Sequence, residues 1–332
     1  SLGIASKIFV VSLPSRNDRR EQMRHLLSAL GLRWSYEDAV GSEMPVVGAI
    51  MRTVRRRRGF TKKPTFRWPK DINAVASTLG PIPRAGSELW TSLDSHDSPH
   101  PQNASPPRNN SGASLSSEIP LTCAIEDDTI PDHSPNLPHN KILTLAKVAV
   151  WESHLSVVRM AAEDTSTAIN VHGERVSIIL EDDVDMEWDI HDRIEGIWSL
   201  LPKGWDAVFL GHCWSNESHY PALYPPDSDT PQYDLLIRNM TRLHPSFKPK
   251  CTHAYALSRS GARRLLLHLR HPAFAYSRAI DQAFAWLVQS GRIRAYSVVP
   301  SIVVQRKVGE SDVMEGIGST WREGLFRGVL DN

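Results

Sequence analysis

At 332 residues, with 41% hydrophobic and 8% aromatic residues, the chain has material for one large α/β domain or two smaller ones. Its formal charge of +1 gives no reason to expect a nucleic-acid or membrane-surface partner. Three cysteines, Cys123, Cys213 and Cys251, are too few and too scattered for a disulfide framework or a zinc site.

In chain order, Lys7-Ile-Phe-Val-Val-Ser-Leu13 is the first strand, and residues 14–18 turn it into a helix. Asp18 is the expected N-cap, Met23, Leu26, Leu27 and Leu30 form the apolar stripe, and Gly31 stops the helix. A strand, a tight turn and a helix N-terminus together suit a phosphate or nucleotide, and Arg16, Arg19 and Arg20 sit there. A solvated first turn is the structural alternative.

From about residue 42 to 140 the composition changes. Residues 52–58 are strongly basic, Pro and Ser punctuate 81–138, and apolar periodicity fades. Short elements are expected near 60–68 and 87–93, and disorder over 92–117. The whole stretch is expected to be a largely disordered insertion interrupting a single domain that spans 1–332, because ordinary α/β patterning resumes on its far side.

Residues 143–160 form an amphipathic helix with Leu145, Val148, Val150, Trp151, Leu155 and Val158 as apolar members, and His154 lies inside it. Further helices are expected over 190–200, over 261–269 with Ser258 as cap, and from Ile280-Asp281 to Gln289. Strands are expected over 205–210, 252–257 and 293–304. The strand at 205–210 runs into Gly211-His212-Cys213, and residues 215–250, rich in Pro and Tyr, are expected to form a lid or acceptor loop. Alternating strands and helices predict an α/β sandwich with a mostly parallel sheet. The cysteines are expected to be single buried thiols, although Cys213 and Cys251 could pair.

The chain is organised around Val176-Ser-Ile-Ile-Leu-Glu-Asp-Asp-Val-Asp-Met-Glu-Trp188. Val176 to Leu180 read as a strand buried on both faces, and it stops on Glu181, Asp182 and Asp183, with Asp185 two positions on. Adjacent carboxylates repel and are costly beside an apolar core, and a cation removes that cost. Hard oxygen ligands suit Mg²⁺ or Mn²⁺ better than Zn²⁺. Strand alternation places Glu181 and Asp183 on one side as metal ligands, with Asp183 the direct one and Asp182 turned toward a ribose hydroxyl or a basic side chain. A solvated acidic turn capping the next helix is the alternative. Glu126-Asp127-Asp128 repeats the triplet without a comparable strand before it, and reads as surface charge in a loop.

With these stretches in view, the chain resembles glycosyltransferase family 25, related to bacterial lipooligosaccharide transferases and collagen galactosyltransferases, and its fungal-type branch most closely. The resemblance covers residues 8–41 and from 141 to the end. Ser12-Leu-Pro-Ser-Arg-Asn-Asp-Arg-Arg20 is similar to the family's Arg-rich turn, although Asn and the first Asp of that turn are replaced. Ala149-Val-Trp-Glu-Ser-His154 keeps Ser and His of a Gly-Cys-x-x-Ser-His helix, and Leu180-Glu-Asp-Asp-Val184 is intact. Trp205-Asp-x-x-x-Leu-Gly211, Ala254-Tyr-x-x-Ser-x-x-Gly-Ala262, Asp281, Gln305 and Ser311-Asp312 fit further family positions.

The resemblance implies a GT-A-type, Rossmann-like fold and an inverting transfer of a hexose, galactose or glucose, from a UDP-sugar to a hydroxyl of a glycan, glycoprotein or other acceptor. Mn²⁺ or Mg²⁺ would sit on Glu181 and Asp183. Ser12, Leu13, Arg16, Arg19, Arg20, Asp182, His154 and His212 would contact the donor, and Asp281 would be the catalytic base. The other readings are a catalytically silent sugar-nucleotide-binding relative and a metal-dependent phosphoester hydrolase. The family's setting, together with acceptor tripeptides at Asn103, Asn109, Asn216 and Asn239, points to a Golgi or ER lumen, with a cytoplasmic enzyme as the alternative. The sequence contains no bilayer-length apolar run and no visible signal peptide, and begins at Ser1, so an upstream membrane anchor is expected to have been removed.

Overall fold

The computed structural model describes residues 2–60, 68–91, 119–125, 129–165, 175–225, 241–307 and 323–330. Apolar, β-branched runs form the strands β1 (Lys7–Ser12), β3 (Val176–Glu181), β5 (Ala207–Phe209), β7 (Ala254–Ser258) and β8 (Ala295–Val299). With β2 (Ser35–Asp38) and β6 (Arg242–Pro245) they make a seven-stranded sheet in the order β2-β1-β3-β7-β5-β8-β6. Strands β2, β1, β3, β5 and β8 share one direction, while β7 and β6 run against them. The sheet is therefore mixed but mostly parallel. A separate ribbon pairs β4 (Val184–Met186) with β9 (Val303–Gln305).

Alternation along the strands splits the core into two layers. Phe9, Ile179, Phe209 and Tyr255 face one cluster, built with Trp151, Leu265 and Phe284 from helices α4 (Leu145–Ala162), α6 (Arg259–Leu269) and α7 (Ile280–Gln289). Ile8, Val10, Ile178 and Leu180 face the other, with Leu26 of α1 (Asn17–Ala29) and Ile194 of α5 (Ile190–Trp198). Each such side chain, fully buried, contributes roughly 1.5–3 kcal/mol.

Helix caps follow local chemistry. The Thr144 side chain accepts from Lys147 N to start α4, and Ser258 accepts from Gly261 N at 3.0 Å to start α6. Asp18 is not a cap: Arg16 holds that position, and the Asp18 carboxylate takes both Nε and Nη2 of Arg16 in the first turn. Gly31 closes α1 at φ 63°.

The interval expected to be a disordered insertion contains ordered elements. Residues Pro45–Phe60 form helix α2, whose Val47, Ile50 and Val54 are buried in the first core layer. A short helix, α3 (Ile72–Ser77), and a 3₁₀ turn at Gly86–Leu89 follow. Within that turn Glu88 is buried between Arg159 of α4 and Arg270 after α6, accepting from Arg270 Nη1 at 2.9 Å. The stretch 92–117 and the second Glu-Asp-Asp triplet at 126–128 lie outside the described residues, as do 311–312 and the tripeptides at Asn103, Asn109 and Asn239.

Cys213 and Cys251 form a disulfide with Cα atoms 5.7 Å apart, against the expectation of single thiols, while Cys123 is a free, buried thiol. The two bonded cysteines are 38 residues apart, and only the fold brings them together. Among the described residues, no helix is long and apolar enough to cross a membrane.

Candidate active site

Because β7 runs antiparallel between β3 and β5, its start lies at the same sheet edge as their ends. That edge gathers Ser12, the turn 181–183, Gly211-His212 and Thr252-His253. Ligands in open α/β sheets collect at such carboxyl ends.

The period of two along β3 sets the first carboxylates. Glu181 follows Ile179 onto the α4 face, where its Oε1 accepts from Thr252 Oγ1 at 2.7 Å and lies 3.4 Å from His154 Nε2. Burial is the largest influence on Glu181 and pushes its pKa up, but His154 and Thr252 outweigh it and hold the carboxyl below its usual range. The Tyr255 hydroxyl lies 2.9 Å from His154 Nδ1, and burial first, then the Glu181 charge, raise the phenol well above its ordinary pKa. The Tyr255 hydroxyl thus holds one ring nitrogen of His154 while the other, Nε2, faces Glu181. His154 therefore buttresses Glu181 from within the core.

Asp182 falls on the opposite face, under α1. Arg19 Nη1 donates to its Oδ1 at 2.9 Å and also reaches Asp183 Oδ2 at 3.4 Å. Burial, more than its neighbours, raises the Asp182 pKa. The strand ends at Glu181, so a turn rather than continued alternation places Asp183. Asp183 Oδ2 also accepts from Gln305 Nε2 at 3.0 Å, while Oδ1 is buried without a hydrogen-bond partner. Burial, followed by the charge of Glu181, pushes Asp183 up to about 7.

The three N-terminal arginines have different partners. Arg19 meets these carboxylates; Arg16 is paired with Asp18. Arg20 Nη2 donates to Ser12 O at 2.9 Å and to Asp38 Oδ1 at 2.6 Å, with its guanidinium over the Tyr36 ring. Ser12 is buried, and its hydroxyl accepts from Arg20 Nε at 3.2 Å and donates to Leu13 O at 3.3 Å. The Leu13 carbonyl accepts from Arg16 N at 3.0 Å and tightens the turn.

His212 is 5% exposed, with Nε2 3.2 Å from Val298 O and Nδ1 unpartnered. His253 is buried beside it in the same state, Nε2 3.2 Å from Val303 O and Nδ1 unpartnered; burial lowers its pKa. Gly211 makes this packing possible, since a Cβ there would stand 2.2 Å from His253 Nε2 and 2.1 Å from Val303 O.

Asp281 opens α7, with Ala279 as the N-cap. Burial raises its pKa most, the charge of Glu181 adds to that, and backbone N–H groups of Gln282 and Cys251 together with Lys250 oppose it. The charge of Glu181 is thus felt at Asp281. Asp185 leaves the cluster: its carboxylate accepts from Met186 N, Val329 N and Leu330 N at 2.8–3.1 Å and anchors the C-terminal segment. Glu187 does the same through Phe326 N and Arg327 N.

Among the described residues, no three His, Cys, Asp or Glu side chains converge as a complete metal cage. The donor set nonetheless fits a hard divalent ion. Asp183 Oδ1 is an unsatisfied buried acceptor, and Glu181 and Asp183 repel each other. Mg²⁺-type ions characteristically take one or two carboxylates and complete their shell with water and substrate phosphates.

Thr252 and His253 were expected only as strand residues, and Tyr255 and Gln305 fitted family positions without an assigned role. Their signal was positional: polar side chains at the ends of apolar strands that the sheet brings to one edge. Compared with known proteins, the chain matches no family model and no curated protein.

Proposed function

We propose that the protein is a metal-dependent inverting glycosyltransferase of GT-A type, moving a hexose from a UDP-sugar to a hydroxyl of a glycan or glycoprotein. The observation that carries this reading is the state of Asp183, pushed up to about 7 with a buried oxygen that has no partner, beside the charged Glu181. Two carboxylates short of a full cage match an ion shared with a diphosphate. The family 25 resemblance at 180–184 and the mostly parallel sheet support the same reading.

Glu181 and Asp183 would hold Mn²⁺ or Mg²⁺, and the ion would supply charge stabilisation for the departing diphosphate. Thr252 and His154 keep Glu181 ionised and oriented. Arg19 compensates Asp182, leaving that carboxylate at the α1 side for a ribose hydroxyl. Ser12, Leu13, Arg16 and Arg20 shape the end of β1 on which the nucleotide would lie. Asp281, made more basic by burial, would accept the proton from the acceptor hydroxyl as its oxygen attacks the sugar carbon opposite the leaving group. His212 would contact the sugar through its unpartnered Nδ1.

The Cys213–Cys251 disulfide and the exposed Asn216 of an Asn-Glu-Ser tripeptide support a secretory-pathway lumen, where disulfides persist. The deciding experiment is a donor screen by nucleotide release in Mn²⁺, run beside phosphatase substrates. Release from a UDP-hexose, with no phosphatase turnover, supports the transferase. Binding of UDP-sugars with no turnover for any acceptor indicates a silent relative, and phosphate release alone indicates a hydrolase.

A further inference from the structure

Residues 250–253 touch both carboxylates of the proposed chemistry. The Thr252 hydroxyl donates to Glu181 Oε1 at 2.7 Å, His253 O accepts from Glu181 N at 2.9 Å, and the backbone N–H of Cys251 acts on the Asp281 carboxylate, opposing the rise in its pKa. This segment precedes β7 and has no place in the seven-stranded sheet. Cys213, two residues beyond Gly211, ties it down. Its N–H donates to Lys250 O at 3.0 Å, and its sulfur is bonded to that of Cys251. Cys251 and Trp214, flanking this tie, both hold left-handed backbone, at φ 68° and 53°. Non-glycine residues keep such conformations only where their surroundings impose them.

We propose that the Cys213–Cys251 disulfide is a positioning crosslink for the active site. It fixes the segment that orients Glu181 and Asp281, so that opening the bridge disarms the site while the sheet stays folded. The inference rests on the reading of Glu181 and Asp183 as ligands of a divalent ion. Opening the bridge takes an external dithiol, which gives up two electrons and two protons, leaves two thiols on the protein and itself becomes a disulfide.

The test compares the oxidised protein, the same protein reduced with dithiothreitol, and the Cys213→Ala/Cys251→Ala double variant. Mn²⁺ binding in the presence of UDP is followed by the electron paramagnetic resonance of free Mn²⁺, and amide hydrogen exchange is read at Cys213, Glu181 and Phe9. Reduction is expected to weaken Mn²⁺ binding by about 10–100-fold, the usual effect of losing groups that orient a ligand. Protection at Cys213 and Glu181 should fall by about tenfold or more, with Phe9 in β1 unchanged. With the disulfide intact, Thr252→Val should reproduce the loss of Mn²⁺ affinity, and Thr252→Ser should restore it. Equal Mn²⁺ affinity and equal protection before and after reduction overturn the inference. So does loss of protection at Phe9, which would make the bridge a staple of the whole fold. An oxidised protein that binds no Mn²⁺ overturns the carboxylate reading as well. If the double variant does not fold, the reduced wild-type protein gives the same comparison.

Discussion

Gln305 Nε2 donates to Asp183 Oδ2 at 3.0 Å, while Asp183 Oδ1 stays buried with no partner. One contact from β9 thus aims the carboxylate and leaves its other oxygen for a ligand. Removing the donor in Gln305→Ala should lower Mn²⁺ affinity by about 10–100-fold, as loss of such an orienting contact generally does. Thermal unfolding should move little, because Gln305 is a partly exposed residue at the end of a two-stranded ribbon. Unchanged Mn²⁺ affinity in a titration would show that Gln305 does not position the ligand.

Asp281 is expected to act on transfer rather than on donor binding. Asp281→Asn keeps the side-chain size and can still accept from the Cys251 and Gln282 N–H groups, but it cannot take a proton at turnover. The expected loss is about 10²–10⁴ in kcat, with the donor Kd nearly unchanged. A steady-state comparison with a competent acceptor, alongside donor titration, checks this. Near-normal kcat would return Asp281 to a structural part at the start of α7.

His268 should make the fold sensitive to mild acid. It is 3% exposed, its Nδ1 lies 2.9 Å from Arg264 O, and its ring packs on Trp68 at 4.6 Å. Burial is the main cause that lowers its pKa to about 4 from 6.5, with Arg292, Arg264 and His271 adding to it. The unfolded chain therefore takes up this proton first. The contribution is fully present above pH 6.5 and is lost as pH falls toward 4, amounting to about 2 kcal/mol by pH 5. Denaturant unfolding at pH 7.5 and pH 5 should show His268→Gln losing less stability than wild type by about that amount. Parallel losses in the two proteins would contradict the assignment.

The apolar strands were legible in the sequence because burial on both faces leaves continuous runs such as Val176 to Leu180. Strand β2 was not: Ser35-Tyr-Glu-Asp38 pairs only with β1 at the sheet margin, and no residue of it is fully buried. Helix α2 carried its signal in Val47, Ile50 and Val54, spaced three and four apart, but the arginines of 52–58 obscured it. Several of those arginines are structural, as Arg58 shows by donating to Thr122 O and Tyr276 O. In the site, Glu181, Asp182 and Asp183 could be named from one motif. Thr252, Gln305 and the Cys213–Cys251 bridge could not, because their partners are 71, 122 and 38 residues away. Asp185, next to the motif in sequence and given no role there, turns instead to the backbone of 329–330.

The central claim is that Asp183 holds the ion for a UDP-sugar. Nucleotide release in Mn²⁺ by wild type, Asp183→Asn and Asp128→Asn tests it most directly, the last substitution lying in the second Glu-Asp-Asp triplet. Asp183→Asn should fold, since it removes a buried charge that repels Glu181. It should also melt at or above the wild-type temperature in EDTA. Its release rate should drop by orders of magnitude, on the order of 10²–10³, as charge stabilisation of the leaving group is lost. Asp128→Asn should release nucleotide at the wild-type rate. Equal rates in the two variants, against an active wild type, would contradict the assignment of the site.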